Sequence, residues 1–186
     1  MKNSKLTVKE IVIIAVTAAV IGVIYTLLDY AYMPLSAVLG QVFMEITFGV
    51  YLLSAALPMY MLRKPGAAVF GALVTAGVNL LLGSPYGIQL VLAGLLQAAG
   101  VEIGYRAGEK YKGSMLNILL GAVLGALLVF GRDCVFFGTL SLGTPVWLGI
   151  LIVRLLSAVI IGTILVKYIT AALVKAGVLK GFACAA

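Results

Sequence analysis

Long uncharged apolar runs, each closed by aromatic residues, turn residues or basic residues, recur along the whole chain, and their length predicts membrane-spanning helices. The first helix is expected over about 8–30, ending in Tyr25, Tyr30 and Tyr32, aromatics suited to a membrane interface, with Pro34, Ser36 and Gly40 marking a loop after it. The second is expected over 41–62, stopping at Arg63-Lys64-Pro65-Gly66. Residues 65–101 carry no charge, yet one helix of that length would be ~55 Å long. Gly83-Ser84-Pro85-Tyr86-Gly87 therefore divides them into helices over about 66–82 and 87–108. A fifth helix over 114–137 is followed by a turn from Gly138 to Pro145, and a sixth over about 146–174 continues past Lys167 as a tail. The expected fold is all-α: a polytopic membrane protein with six transmembrane helices in one membrane-embedded domain, 1–186. The basic N-terminus ahead of an apolar run resembles a signal peptide. Ile11 to Leu28 exceeds a typical signal core, however, and leads into aromatics, so a retained first helix is expected.

Charge orients this bundle. Lysines and arginines gather as Lys2/Lys5/Lys9, Arg63/Lys64, Arg106/Lys110/Lys112 and Lys167/Lys175/Lys180. Between neighbouring clusters the chain has room to cross a ~30 Å hydrocarbon core twice. The positive-inside rule then puts every cluster, and both termini, on the cytoplasmic side. Composition agrees: 63% of residues are hydrophobic, 10% charged, and the mean hydropathy is +1.21, which requires apolar surface facing lipid. The net charge of +7 reports topology rather than nucleic-acid binding.

Absent chemistry narrows the function further. The chain has no His, hence no imidazole base, relay or metal ligand, and no G-x-x-x-x-G-K-[ST] loop for ATP. Cys134 and Cys184 are expected at opposite membrane faces, where they cannot pair. No cofactor and no metal site are expected.

Polar groups inside spanning helices cost at least ~2.5–3.5 kcal/mol at the centre, so each needs a partner or a task. Glu45, Asn79, Tyr86, Gln89, Asp133 and Trp147, with Arg132 beside Asp133, all fall in the outer third of the predicted membrane, on separate segments, and define a candidate pocket. Gln41 and Glu45 share a face, as do Gln89, Ala93 and Gln97, and Trp147 shares a face with Arg154 seven residues on. Arg154 needs an anionic neighbour among Glu45, Asp133 and Glu102; Glu102 otherwise pairs with Arg106 near the cytoplasmic interface. With one acid taken by Arg154, at least one remains beside aromatic rings and carboxamides, a lining suited to a small cationic or donor-rich heterocycle captured from outside. Small residues at four-residue spacing serve close helix packing: Gly100/Gly104 and Gly121/Gly125, with Ala122/Ala126 alongside. Ala15 and Ala19 serve either packing or docking of a partner protein.

These features resemble the substrate-capture (S) subunits of energy-coupling factor (ECF) vitamin transporters, and more narrowly the YkoE-type S component, associated with thiamin or its hydroxymethylpyrimidine moiety. The resemblance spans nearly the whole chain. It runs through Val8-Lys9-Glu10-Ile11-Val12-Ile13, Tyr60-Met61-Leu62-Arg63-Lys64-Pro65-Gly66-Ala67-Ala68, Leu82-Gly83-Ser84-Pro85-Tyr86-Gly87, the Gln97 to Glu102 stretch, Val153-Arg154-Leu155 and Gly177-Val178-Leu179. It implies a vitamin-binding subunit of the cell membrane, without enzymatic activity, that works with a membrane coupling protein and two ATPase subunits. It also implies that Ala15 and Ala19 contact the coupling protein and that the subunit topples to release its vitamin inside. Thiamin-specific S subunits use a His and several Trp, whereas this chain has no His and one Trp, so their ligand residues do not transfer.

On this reading the loop from Tyr32 to Gly40 closes over thiamin, and Trp147 or Tyr51 stacks on the aminopyrimidine. Glu45 pairs with the pyrimidine, Asp133 offsets the thiazolium, and Asn79, Gln89 and Gln97 supply hydrogen bonds. Rival readings are an S component for another small vitamin or heterocycle, a membrane-embedded transferase, and an accessory subunit without ligand.

Overall fold

The computed structural model describes residues 6–185; Lys2 and Lys5 of the first basic cluster lie outside them. All regular structure among these residues is helical. The rods are α1 (Val8–Leu39), α2 (Gln41–Leu62), α3 (Ala67–Leu81), α4 (Gln89–Ala107), α5 (Met115–Phe136) and α6 (Thr144–Lys175). Of these, α1, α2, α5 and α6 are long and apolar enough to cross a membrane; α3 is a shorter apolar helix, and α4 carries Gln89, Gln97, Glu102 and Arg106.

Local chemistry explains the ends. Thr7 and Glu10 form a capping box at the start of α1, with the Thr7 amide donating to Glu10 Oε2 at 2.7 Å. Arg63 in the left-handed region (φ +52°) and Gly66 (φ +85°) turn the chain from α2 into α3. Ser114 caps α5 by accepting the Asn117 amide, and Asn117 ties the preceding turn to the Tyr105 carbonyl.

One expected loop is absent. Residues 32–39 continue α1 through Pro34, and the chain reverses only at Gly40 (φ +80°). Apart from Pro34 and Ser36 this stretch is good helix-forming apolar sequence. A proline inside a membrane helix forfeits one backbone hydrogen bond, which such helices tolerate. No segment there is free to fold over a ligand as a loop.

The bundle is layered by residue size. On α1, Ile14, Ala18, Ile21 and Tyr25 are buried while Val12, Val16, Val20 and Leu27 are exposed, the two-faced pattern of a helix at the bundle–lipid boundary. At the centre α4 and α5 meet glycine to glycine. A methyl group on Gly100 would sit 2.3 Å from the Gly125 nitrogen, and one on Gly104 the same distance from the Gly121 nitrogen. These spaced glycines therefore serve internal packing.

Candidate ligand pocket

The pocket is built on a broken helix. Within α2 the α-helical pattern gives way to a 3₁₀ turn over Glu45–Thr47 and is interrupted again at Leu52. Each break leaves backbone groups that must be satisfied where water is scarce. Ser157 on α6 serves the first: its Oγ donates to the Ile46 carbonyl and accepts the Gly49 amide at 2.8 Å. Tyr25 on α1 serves the second, its hydroxyl donating to the Val50 carbonyl at 2.9 Å and accepting the Ser54 amide at 3.0 Å. Beyond Ser157, α6 loosens into a π turn over Ala158–Gly162, where Gly49 packs so closely that a methyl group on it would lie 2.4 Å from the Ser157 carbonyl oxygen. The breaks turn Glu45, Phe48 and Tyr51 toward one cavity.

A chain of alternating charges crosses that cavity. Arg154 Nε and Nη2 donate to the two Glu45 carboxylate oxygens at 2.7 and 2.8 Å, a bidentate pair. Arg154 Nη1 lies 2.7 Å from Asp133 Oδ2. Asp133 Oδ1 in turn accepts Arg132 Nε at 2.9 Å, and Arg132 Nη1 reaches the Gln89 carbonyl at 3.2 Å. The Arg154 guanidinium also faces the Phe48 ring, 4.9 Å from its centroid. Arg154 thus takes both Glu45 and Asp133, and the network Glu45–Arg154–Asp133–Arg132 is neutral.

The third acid of the cavity is Asp29, which the sequence reading did not single out. It is 1% exposed and accepts hydrogen bonds from Tyr51 Oη (2.7 Å), Asn79 Nδ2 (2.9 Å) and Ser84 Oγ (2.7 Å). All three donors are neutral. The argument from the cost of a buried carboxylate applied to Asp29 as much as to Glu45. The continuation of α1 past Tyr30 to Leu39 keeps Asp29 inside the bundle.

Asp29, the charge network and a set of aromatic rings line a cavity of about 580 Å³, within the usual size range of small-ligand sites. Tyr32, Phe48, Tyr51, Tyr86 and Phe137 supply the rings, and Tyr32 meets Tyr86 edge-on at 6.3 Å. Burial and the Asp29 carboxylate raise the Tyr86 phenol above its ordinary range, so it remains a hydrogen-bond donor. Gln89 and Gln97 line the cavity; Gln97 accepts Ser54 Oγ at 3.1 Å, and Gln89 Oε1 is buried with no hydrogen-bond partner among the described residues.

The expected residues therefore separate. Glu45, Tyr51, Tyr86, Gln89, Gln97, Asp133 and Arg154 converge on the cavity. Asn79 stands behind it with both ends of its amide engaged, accepting Thr26 Oγ1 at 2.8 Å and donating to Asp29. Trp147 is half-buried and not among the lining residues; Ile150 and Arg154 are the residues of α6 that reach the cavity. Glu102 lies elsewhere: it accepts the Gly66 and Ala68 amides at 2.8 and 3.3 Å, capping the start of α3 from a neighbouring helix, and bonds Tyr111 rather than pairing with Arg106.

Comparison with known proteins adds an independent line. Residues 9–128 match the family model described as the permease component of the ABC-type cobalt transport system. A protein of Bacillus subtilis (strain 168), named putative HMP/thiamine permease protein YkoE, is 32% identical over 184 residues, covering 98% of this chain and 91% of its own. A solved crystal structure of an S-component of an ECF transporter superposes with a TM-score of 0.90 at 29% identity, covering 95% of this chain and 90% of that one.

Proposed function

The chain belongs to the ABC-type cobalt transport permease family and is a YkoE-type S component of an ECF transporter, a substrate-binding subunit rather than an enzyme, and from that premise we propose that it captures thiamin or its hydroxymethylpyrimidine moiety in the cavity beside Asp29. The observation that carries this reading is a carboxylate that, among the described residues, has no cationic partner, in an aromatic-walled cavity. A carboxylate held there by neutral donors alone suits a ligand that brings positive charge or amine hydrogens.

The roles follow from the contacts. Asp29 faces the ligand's cation or amine, and Asn79, Ser84 and Tyr51 hold that carboxylate in place. Gln89 Oε1 accepts an amine hydrogen from the ligand. The rings of Tyr32, Tyr86, Phe48 and Phe137 offer stacking faces for the aminopyrimidine. Glu45 and Asp133 act by fixing Arg154 across the cavity floor, and Gln97 contributes its free amide hydrogens.

Around this site we read the whole chain, 1–186, as one domain with six membrane-crossing helices and both termini cytoplasmic, in the plasma membrane. Its partners are a membrane coupling protein and two ATPases. Ala15 and Ala19, half-buried on α1 between exposed Val12, Val16 and Val20, are the proposed contact with the coupling protein. Isothermal titration of the purified chain with thiamin and with hydroxymethylpyrimidine tests the reading: saturable one-to-one binding of either supports it, and heat from neither rejects it in favour of a different heterocycle.

A further inference from the structure

The charges that line the cavity set a rule about which forms of a ligand it accepts. Three carboxylates, Asp29, Glu45 and Asp133, face two guanidiniums, Arg132 and Arg154, which leaves one formal negative charge. Neither guanidinium is idle. Arg154 is committed to Glu45 and Asp133, and Arg132 to Asp133 and the Gln89 carbonyl, with side chains only 6% and 12% exposed. The excess charge sits at Asp29, whose partners are all neutral. Both guanidiniums are already held by carboxylates, so a phosphate ester entering here would compete with Glu45 and Asp133 for them. It would also bring further negative charge beside Asp29.

We propose that Asp29 makes the pocket a charge filter, ranking ligands of one shape as cation over neutral isostere over phosphate ester, so that the subunit takes the free vitamin and rejects its phosphorylated forms. The proposal rests on the thiamin reading of the site. It also fixes the reaction class that must precede uptake where only phosphorylated vitamin is supplied: hydrolysis of the phosphate ester outside the membrane, by another protein.

The test is competitive binding to the purified full-length chain with three probes: thiamin, its neutral isostere 3-deazathiamin, and thiamin monophosphate. Thiamin should bind at least about 10-fold tighter than the neutral isostere and about 100-fold or more tighter than the monophosphate. Asp29→Asn keeps the side-chain shape, and in that variant both gaps should shrink. Comparable affinities of the parent chain for thiamin and the monophosphate overturn the filter while leaving thiamin capture intact. Failure of the parent to bind thiamin removes the underlying reading and the filter with it. The ranking in the parent chain stands as a test even if Asp29→Asn does not fold. Equal gaps in a folded Asp29→Asn protein would assign the filter to other residues.

Discussion

Replacing Arg154 with methionine should destabilise this protein far more than replacing Arg154 and Glu45 together. In the parent, Arg154, Glu45 and Asp133 have side chains only 6, 9 and 10% exposed, and Arg154 holds Glu45 through two hydrogen bonds. Arg154→Met leaves Asp133 its second partner, Arg132, but strands Glu45. A buried charge that loses its partner costs about 3–5 kcal/mol. For a chain of this length that corresponds to roughly 6–20 °C in Tm, at about 2–4 °C per kcal/mol. The double variant Glu45→Met/Arg154→Met removes one positive and one negative charge, leaving the cavity's net charge as it was and filling the space with apolar side chains. Such exchanges are close to neutral or stabilising. Thermal unfolding of the purified chains in detergent, without ligand, measures all members of the cycle. A Tm for Arg154→Met equal to the parent's, or additive losses in the double variant, would refute the buried-network account.

Other parts of the structure make separate predictions. Gly100→Leu and Gly104→Leu should abolish recovery of monodisperse protein, because backbone stands against both positions; Gly131→Leu, with open space around it, should behave like the parent in size-exclusion chromatography. Ser157→Ala strands the Gly49 amide and the Ile46 carbonyl at the break in α2 and should cost about 1–3 kcal/mol in unfolding measurements. Glu102→Gln weakens a cap remote from the cavity, so it should lower the Tm by a few degrees while thiamin titrations stay unchanged.

How far the sequence foretold this structure depended on whether a feature is local. The boundaries at Arg63-Lys64-Pro65-Gly66, at Gly83 to Gly87 and after Phe137 were legible because turn residues and basic residues act on the backbone next to them. The convergence of Glu45, Gln89 and Asp133 on one cavity was legible too, since it followed from the cost of burying them. Pro34 misled, because a helix in a membrane absorbs a proline that sequence pattern reads as a stop. The 3₁₀ and π turns left no local mark; Ser157 and Tyr25 sustain the breaks in α2 from other helices, which only the folded packing reveals. The choice of partners for Arg154 was open for the same reason, and its answer changed the site: with Glu45 and Asp133 both engaged, the unpaired charge passed to Asp29. Trp147 shares a face of its helix with Arg154, but sharing a face does not determine how far along the helix the cavity reaches, and its lining on α6 stops at Ile150.

The most direct test of the account is a crystal structure of the chain with thiamin bound. It predicts density for one thiamin between Asp29 and Arg154, against the rings of Tyr32, Tyr86, Phe48 or Phe137. Thiamin bound elsewhere, at the Glu102 end of the bundle or on the exposed face of α1, with the Asp29 cavity vacant, would contradict it.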